Sequence, residues 1–382
     1  MAPELLSQPR ERARSLVLRL GWNATAYQIL NPGMQLWFSD DGDAVAGYAT
    51  YARTRVVAGA PVCAPERLPL VADELHADAR RAASVEMYFG AGERLERLLG
   101  RSPHHHLLRL GAQPVWDPQG WADVVRRKAS LRAQINRARN KRLRARELQR
   151  DDVPQHIPRL RHVLESWLGT RGLPPLHFMT EPDTLGDLRD RRVFVAERGD
   201  DLVAFLIATP IPARAGWLVE QWPRVPDAPN GTTHLLVDCA MHRFAADGSR
   251  FVTLGLAPLS DRAGPIGEGE PWWLRGVLLW LRAHGRRFYN FRGLDAFKAS
   301  LEPDAWEPIY AIVPASRVSL RMLRAVAGAF GGGSPVKLVV RALAMAVRRE
   351  AGRLMVRRKK PRERRTGTAD RNIGPERRRQ SR

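Results

Sequence analysis

The sequence predicts an α/β protein built as two layered units, and three observations predict it. The chain has 382 residues, enough for two domains of ordinary size. A hydrophobic fraction of 44% with 11 Trp can fill real cores. Strand-like and helix-like segments alternate through one stretch and then, after a basic connector, through a second.

In order, Trp37 to Tyr51 reads as strand, Asp-Gly turn, strand, and Arg55 to Pro61 as a third strand ended by Gly59 and Pro61. Leu68 to Ser84 has helix-forming composition. Val85 to Phe89 is a short strand that stops at Gly90, and Glu93 to Leu99 is another helix. From Trp121 to Glu147 the spacing predicts one long helix, with Leu131, Ile135 and Ala138 on a single face. Asp151, Asp152 and Pro154 mark a boundary. Beyond it the expected order is helix Ile157–Thr170, strand Arg192–Glu197, a turn at Gly199 to Asp201, then strands Leu202–Thr209 and Gly216–Gln221. A helix capped by Asn230 extends to Ala246, and strands Val252–Leu256 and Arg287–Phe291 complete the set. Gly331 to Ser334 is a hinge. Val336, Val339, Val340, Leu343 and Val347 then form one stripe, with Lys337, Arg341 and Arg348 on another face, a basic amphipathic helix over 335–356. The Arg-rich tail 357–382 is read as disordered. The expected organisation is an N-terminal unit at 15–125, a basic connecting helix at 126–150 and a catalytic unit at 151–330.

The net charge of +22 is concentrated in two places. Arg126 to Arg150 carries +10 and Arg348 to Arg382 carries +11, which leaves the body nearly neutral. Two basic segments on a neutral body point to polyanionic partners: nucleic acid, an anionic membrane surface, or both. Charge that only aids solubility is the alternative, although mixed charges do that better. Cys63 and Cys239 form no CxxC pair and read as reduced structural thiols of a cytoplasmic protein. No apolar run approaches a bilayer span, and the polar segment Met1 to Arg14 is not a signal peptide.

Three stretches carry the chemistry: Ala228 to Asp238, Val252 to Ser260, and Phe288 to Lys298 running on to Trp306-Glu307-Pro308. Each sets a Gly or Pro turn and a few polar groups beside an apolar run, an arrangement suited to a cleft. Their order and wording resemble the C-terminal catalytic domain of the phosphatidylglycerol lysyltransferase family. So do Gly21 to Gly33, Ala58 to Pro61, Gln113 to Pro118 and Leu131 to Arg139, so that the likeness covers residues from about 20 to 315. The resemblance implies a tandem of two acetyltransferase-like (GNAT) folds with mixed β-sheets. It also implies transfer of an amino acid from aminoacyl-tRNA, as co-substrate, to a membrane lipid. Many members carry a multi-span membrane domain upstream; this chain reads as a stand-alone version, peripheral on the inner face of the cytoplasmic membrane. In many relatives the positions of His234 and Arg292 are acidic, which implies another amino acid or another reaction here.

An ester exchange of this kind needs no metal and no cofactor beyond the aminoacyl-tRNA. It needs two large anions positioned, an oxyanion stabilised and a route for one proton. Lys298 is the best cation for the oxyanion or the lipid phosphate; otherwise it is a solvated Lys on a helix. Asp238 and Glu220, in apolar surroundings, either bind the substrate ammonium and accept a proton or form buried salt bridges with a nearby Arg. Asn230 and Asn290 are expected to hydrogen-bond substrate, Asn230 alternatively only capping its helix. His234, Ser260, Arg292 and Gly293 complete the expected substrate site, Gly231, Gly255 and Gly293 through backbone geometry. Ser260 lacks a Gly-x-Ser-x-Gly elbow and an identifiable His/Asp partner, which disfavours a covalent mechanism. His104 to His106 lack a Cys or second His at ligand spacing and read as a loop. Arg282 to Arg287 departs from a coenzyme A pyrophosphate loop, which disfavours ordinary acetyl transfer.

Arg132, Arg137, Arg139, Lys141, Arg142 and Arg144 fit a tRNA acceptor stem through sequence-independent phosphate contacts. The C-terminal helix and tail fit an anionic lipid leaflet, with a separate lipid flippase as an optional further partner. The roles of the two basic segments could also be exchanged. A soluble or peptide acceptor, or a non-catalytic RNA- or membrane-binding module, are the competing functions.

Overall fold

The computed structural model describes residues 3–170, 177–181, 183–265, 291–315 and 320–331. Within them the strands are β1 (Gln35–Phe38), β2 (Val45–Tyr51), β3 (Thr54–Ala58), β4 (Val85–Ala91), β5 (His105–Trp116) and β6 (Leu143–Glu147). There follow β7 (Arg192–Arg198), β8 (Asp201–Ile211), β9 (Gly216–Gln221), β10 (Phe251–Thr253), β11 (Ala257–Pro258) and β12 (Ala305–Pro314). The helices are α1 (Pro3–Leu20), α2 (Leu68–Arg81), α3 (Glu93–Leu99), α4 (Trp121–Arg127), α5 (Ala129–Asn140), α6 (Val153–Gly169), α7 (Thr232–Ala246), α8 (Phe291–Ser300) and α9 (Leu320–Phe330).

Successive strand residues point to opposite faces, and the sequence uses both. In β7, Phe194 and Ala196 join the core under α4, α5 and α7, while Val193 and Val195 join the one under α6. In β8, Ala204, Leu206 and Ala208 face the first core and Phe205 and Ile207 the second. In the other half, Val56 of β3 packs with α1 and α9, and its neighbour Val57 with α2 and α3. Near-continuous apolar strands covered by helices on both faces are the signature of an α/β layer. The expected mixed α/β fold is what the chain adopts.

The strands form one sheet in the order β1-β2-β3-β4-β12-β5-β10-β9-β8-β7-β6, with β11 added on β5. Most neighbours are antiparallel, whereas β3 with β4 and β9 with β10 are parallel. The late strand β12 lies between β4 and β5, antiparallel to both. β5 in turn pairs with β10. Residues 305–314 therefore complete the half built from residues 35–116.

Several expectations change. The helix expected over 121–147 breaks at Lys128 (φ −89°, ψ 92°) into α4 and α5, and the chain turns back at Arg142 (φ 60°) into strand β6. Leu143-Arg-Ala-Arg-Glu147 pairs with β7, which a helix there could not do. His105 and His106 open strand β5 instead of a loop, with His105 stacked on His76 at 5.3 Å between ring centroids. The polar N-terminal segment forms α1, which buries Ala13, Leu16 and Val17. β4 runs past Gly90 to Ala91. α7 begins at Thr232, and Gly231 at φ 94° takes the cap position expected of Asn230. A Cβ at Gly231 would lie 2.1 Å from the Gln134 carbonyl oxygen, so only glycine permits this approach of α7 to α5. Of the strand expected at Arg287–Phe291, Phe291 opens helix α8 and the rest lies outside the described residues. The helix at 335–356 and the tail at 357–382 lie outside them as well, as does Arg282 to Arg287. No helix among the described residues is long and apolar enough to cross a membrane.

Candidate active site at the seam of the sheet

Helix α8 carries Asp295, Phe297 and Lys298 within four positions; Asp295 and Lys298 meet the stretch from Val252 to Ser260, and Phe297 meets the one from Ala228 to Asp238. The Ser260 hydroxyl donates to Asp295 Oδ1 at 2.6 Å, and Arg262 Nε reaches both Asp295 oxygens at 3.1 and 3.0 Å. The His234 ring meets Phe297 edge-on at 5.3 Å, and Trp222 lies beside Phe297 at 6.1 Å. Lys298 Nζ donates to the backbone oxygens of Gly255 at 2.8 Å and Leu256 at 2.9 Å. Gly255 adopts φ 68°, a left-handed conformation open to glycine, which shapes the carbonyl pair. The structure thus brings Lys298, Ser260 and His234 together around one helix.

Lys298 is 1% exposed. Burial pushes its amine down to about 7, because the charged form loses its hydration and Asp295 restores only part of that loss. Burial likewise holds the half-buried His234 imidazole below its ordinary range.

Gly255 and Leu256 also line a pocket at the seam between the two halves of the sheet. Its floor comes from Gln113 of β5, Glu307 and Ile309 of β12, Phe89 and Gly90 of β4 and Leu218 of β9. Trp22 to Thr25, after α1, close one side, with Met179 and Arg214. Gln113 and Glu307 stand directly opposite each other across the β5–β12 ladder. Gln113 Nε2 donates to Glu307 Oε2 at 2.8 Å, and both Arg214 nitrogens bind the same carboxylate, at 2.9 and 2.5 Å. Arg214 also stacks over Phe251 at 3.5 Å and over Trp22 at 4.7 Å. The paired Arg214 and Gln113 hold the Glu307 carboxyl below its usual range despite partial burial. Arg214 escaped a reading by stretches, since its partnership with Glu307 spans 93 residues. Glu307 stands in the third chemical stretch, and Gln113 in the wording shared with the family.

Lys298, Ser260 and His234 adjoin this pocket through α8 and the Gly255–Leu256 backbone without lining it, and the remaining expected site side chains are not in its lining either. Asp238, 3% exposed, accepts from Trp121 Nε1 and from Arg139, each at 3.0 Å, and lies 3.4 Å from His242 Nε2. Those cationic and N–H partners hold its carboxyl below the usual range against the effect of burial. Glu220 pairs with Arg191 at 3.2 Å, both side chains 7% exposed, and Arg191 lies over the Tyr27 ring. Asn230 and Arg292 are exposed at the starts of α7 and α8, Gly293 follows on α8, and Asn290 is outside the described residues.

Among the basic residues, Arg132 turns back onto the Val125 and Arg126 carbonyls at the end of α4. Arg137 donates to Gln134 and Arg139 to Asp238, while Lys141, Arg142 and Arg144 are exposed where α5 turns into β6. No group of three or more His, Cys, Asp or Glu among the described residues is placed to hold a metal ion.

Comparisons with known proteins follow the same outline. The family described as phosphatidylglycerol lysyltransferase, C-terminal, matches residues 14–313. Phosphatidylglycerol lysyltransferase of Bacillus subtilis is 23% identical over 312 residues, which are 78% of this chain and 34% of that protein. The chain spans about a third of the length of that relative. Among solved structures, the C-terminal domain of an Agrobacterium fabrum protein assigned as a lysylphosphatidylglycerol synthetase is 23% identical with a TM-score of 0.73, covering 86% of this chain and 98% of that one. L-PGS from Bacillus licheniformis is 20% identical with a TM-score of 0.67, covering 84% of this chain and 96% of that one. These two likenesses establish the shared fold. Matched by the family over most of its length, the chain belongs to the phosphatidylglycerol lysyltransferase C-terminal family.

Proposed function

We propose that this chain transfers an amino acid from aminoacyl-tRNA to phosphatidylglycerol or a related membrane lipid. Family membership over residues 14–313 carries the reading. In the reaction the lipid hydroxyl oxygen attacks the aminoacyl carbonyl carbon, and the bond from that carbon to the tRNA ribose oxygen breaks. The proton leaving the lipid hydroxyl ends on the ribose oxygen. The aminoacyl ester already carries the activation, so the exchange calls for no further cofactor.

Lys298 is the proposed proton carrier. A neutral amine has two N–H bonds, and the Gly255 and Leu256 carbonyls accept two. The lone pair then remains to take a proton, and a pKa of about 7 lets it be returned near neutral pH. Asn230, His234, Ser260, Arg292, Gly293 and Asn290 are proposed to bind substrate around α7 and α8. Asp238 and Glu220 enter the proposal through what they hold, α7 against α4 and α5 in one case and Arg191 in the other.

Exposed Arg137, Lys141, Arg142 and Arg144 suit the phosphates of a tRNA stem, assisted by Arg132 and Arg139, which brace the same segment. The basic segments support a peripheral position on the inner membrane face, with export of product left to a separate flippase. The test compares lipid extracts from cells expressing and lacking the chain, fed radiolabelled amino acids. An aminoacylated lipid that depends on the chain and vanishes when lysates are RNase-treated before labelling is expected. Labelling that survives RNase would refute the reading.

A further inference from the structure

Beside the seam pocket lies more positive charge than its own partners neutralise. Trp22 and Arg214 line the pocket, and two guanidiniums lie over the Trp22 ring: Arg94 of α3, adjoining the lining through that ring, at 4.3 Å and Arg214 at 4.7 Å. Arg214 is matched by Glu307, which takes both of its nitrogens. Arg94 is matched by no carboxylate of this kind among the described residues. Its chain neighbour Glu93 pairs instead with Arg97. Burial and the repulsion of Arg214 both bear on Arg94, holding it below the ordinary arginine range. Two cations and one anion leave a single net positive charge beside the pocket. A monoanion with two equivalent oxygens, such as a phosphodiester, is the complement of a guanidinium in that setting.

The rest of the lining decides between sources of a phosphodiester. Phe89, Met179, Leu218, Leu256 and Ile309 share the pocket with Trp22. A mostly apolar lining with an unmatched guanidinium adjoining it at Trp22 suits a glycerol headgroup entering ahead of its acyl chains better than a polar RNA terminus. We infer that Arg94 and Arg214, stacked on Trp22, form the subsite that holds the headgroup phosphodiester of the acceptor lipid. This subsite rests on the lipid acceptor proposed above and adds the residues that select it. Arg214 serves both the phosphodiester and Glu307, so the Glu307 and Gln113 pair keeps its guanidinium plane fixed. Arg94, without such a pair, supplies the unmatched charge.

The experiment measures binding of monomeric dihexanoyl phosphatidylglycerol, and separately of a tRNA acceptor-stem minihelix, to the full chain by titration calorimetry. Arg94→Gln is expected to weaken lipid binding by roughly tenfold or more, the loss typical of one charge-assisted hydrogen bond. Arg94→Lys should lose less, and minihelix binding should not change. Trp22→Leu removes the platform under both guanidiniums and must weaken lipid binding too, which guards against a folding defect peculiar to one variant. Wild-type lipid affinity in both Arg94→Gln and Trp22→Leu would overturn the subsite while leaving the lipid acceptor standing. Loss of minihelix binding with lipid binding intact would overturn it in favour of RNA. A wild-type chain that binds no phosphatidylglycerol would overturn the subsite and the lipid acceptor together.

Discussion

A lysine amine buried to 1% exposure has a stability signature that a solvated lysine lacks. The Lys298 amine titrates at about 7 in the folded chain against an ordinary value of 10.5. Between those values the unfolded chain holds a proton that the folded chain has released, so stability rises with pH across that window. The cost of burying the charge is fully present below about pH 7 and fades as pH climbs toward 10.5. Lys298→Met should flatten this rise, so that its stability relative to wild type is greatest near pH 6 and falls by pH 10. Denaturant unfolding at several pH values checks this, and parallel curves for the two proteins would contradict it. The transfer rate should climb as pH rises through about 7, where the amine becomes neutral, and Lys298→Met should lack that limb. The lysine itself was legible in the sequence as the best cation of its stretch. Its burial was not, because the carbonyls that receive it lie more than 40 positions away.

Among the elements, α7 shows how one residue can organise three helices. Asp238 on α7 accepts from Trp121 at the start of α4 and from Arg139 near the end of α5. Asp238→Ala strands the Trp121 N–H and should cost about 1–3 kcal/mol, the usual penalty for an unpaired buried group, measured by urea unfolding. A wild-type midpoint would contradict the clamp. Since its carboxyl lies below 3.8 in the folded state, this stabilisation is present above that value and is lost as pH falls through the lower folded one.

The same elements show what the sequence could and could not tell. Strands β2, β7 and β9, and helix α3, stand where apolar patterning and turn residues placed them. The break between α4 and α5 falls at Lys128 with neither Pro nor Gly to announce it. Leu143, Ala145 and Glu147 alternate with Arg144 and Arg146, a period of two that the run of arginines disguised as the flank of a helix. In α1, Ala13, Leu16 and Val17 had helical spacing, but the surrounding charge made the segment read as a polar terminus.

For the whole molecule, the position of β12 matters most. It fills the gap between β4 and β5 and sets Glu307 opposite Gln113, so the pocket floor exists only when segments 194 positions apart meet. A chain ending at Ser300 would leave both β4 and β5 with an open edge and lose the buried Ile309, Ile312 and Val313. Such a truncation should be insoluble or lack a cooperative thermal transition in circular dichroism; a cooperative, soluble product would show that the two halves are independent. No alternation rule within one segment could have revealed this pairing, because it is a property of topology. The concentration of charge was legible, since it needs only counting: two basic segments on a nearly neutral body, one of them at the exposed turn from α5 into β6.

Transfer from a charged tRNA to a lipid is the central claim, and the most direct measurement uses the purified chain alone. Radiolabelled aminoacyl-tRNA is incubated with the chain and phosphatidylglycerol in mixed micelles, and the organic extract is resolved for labelled lipid. Label should appear in an alkali-labile lipid ester, in proportion to the chain added, and should be lost with Lys298→Met or after digestion of the tRNA. No label in lipid from any aminoacyl-tRNA tried, or equal label from free amino acid, would contradict it.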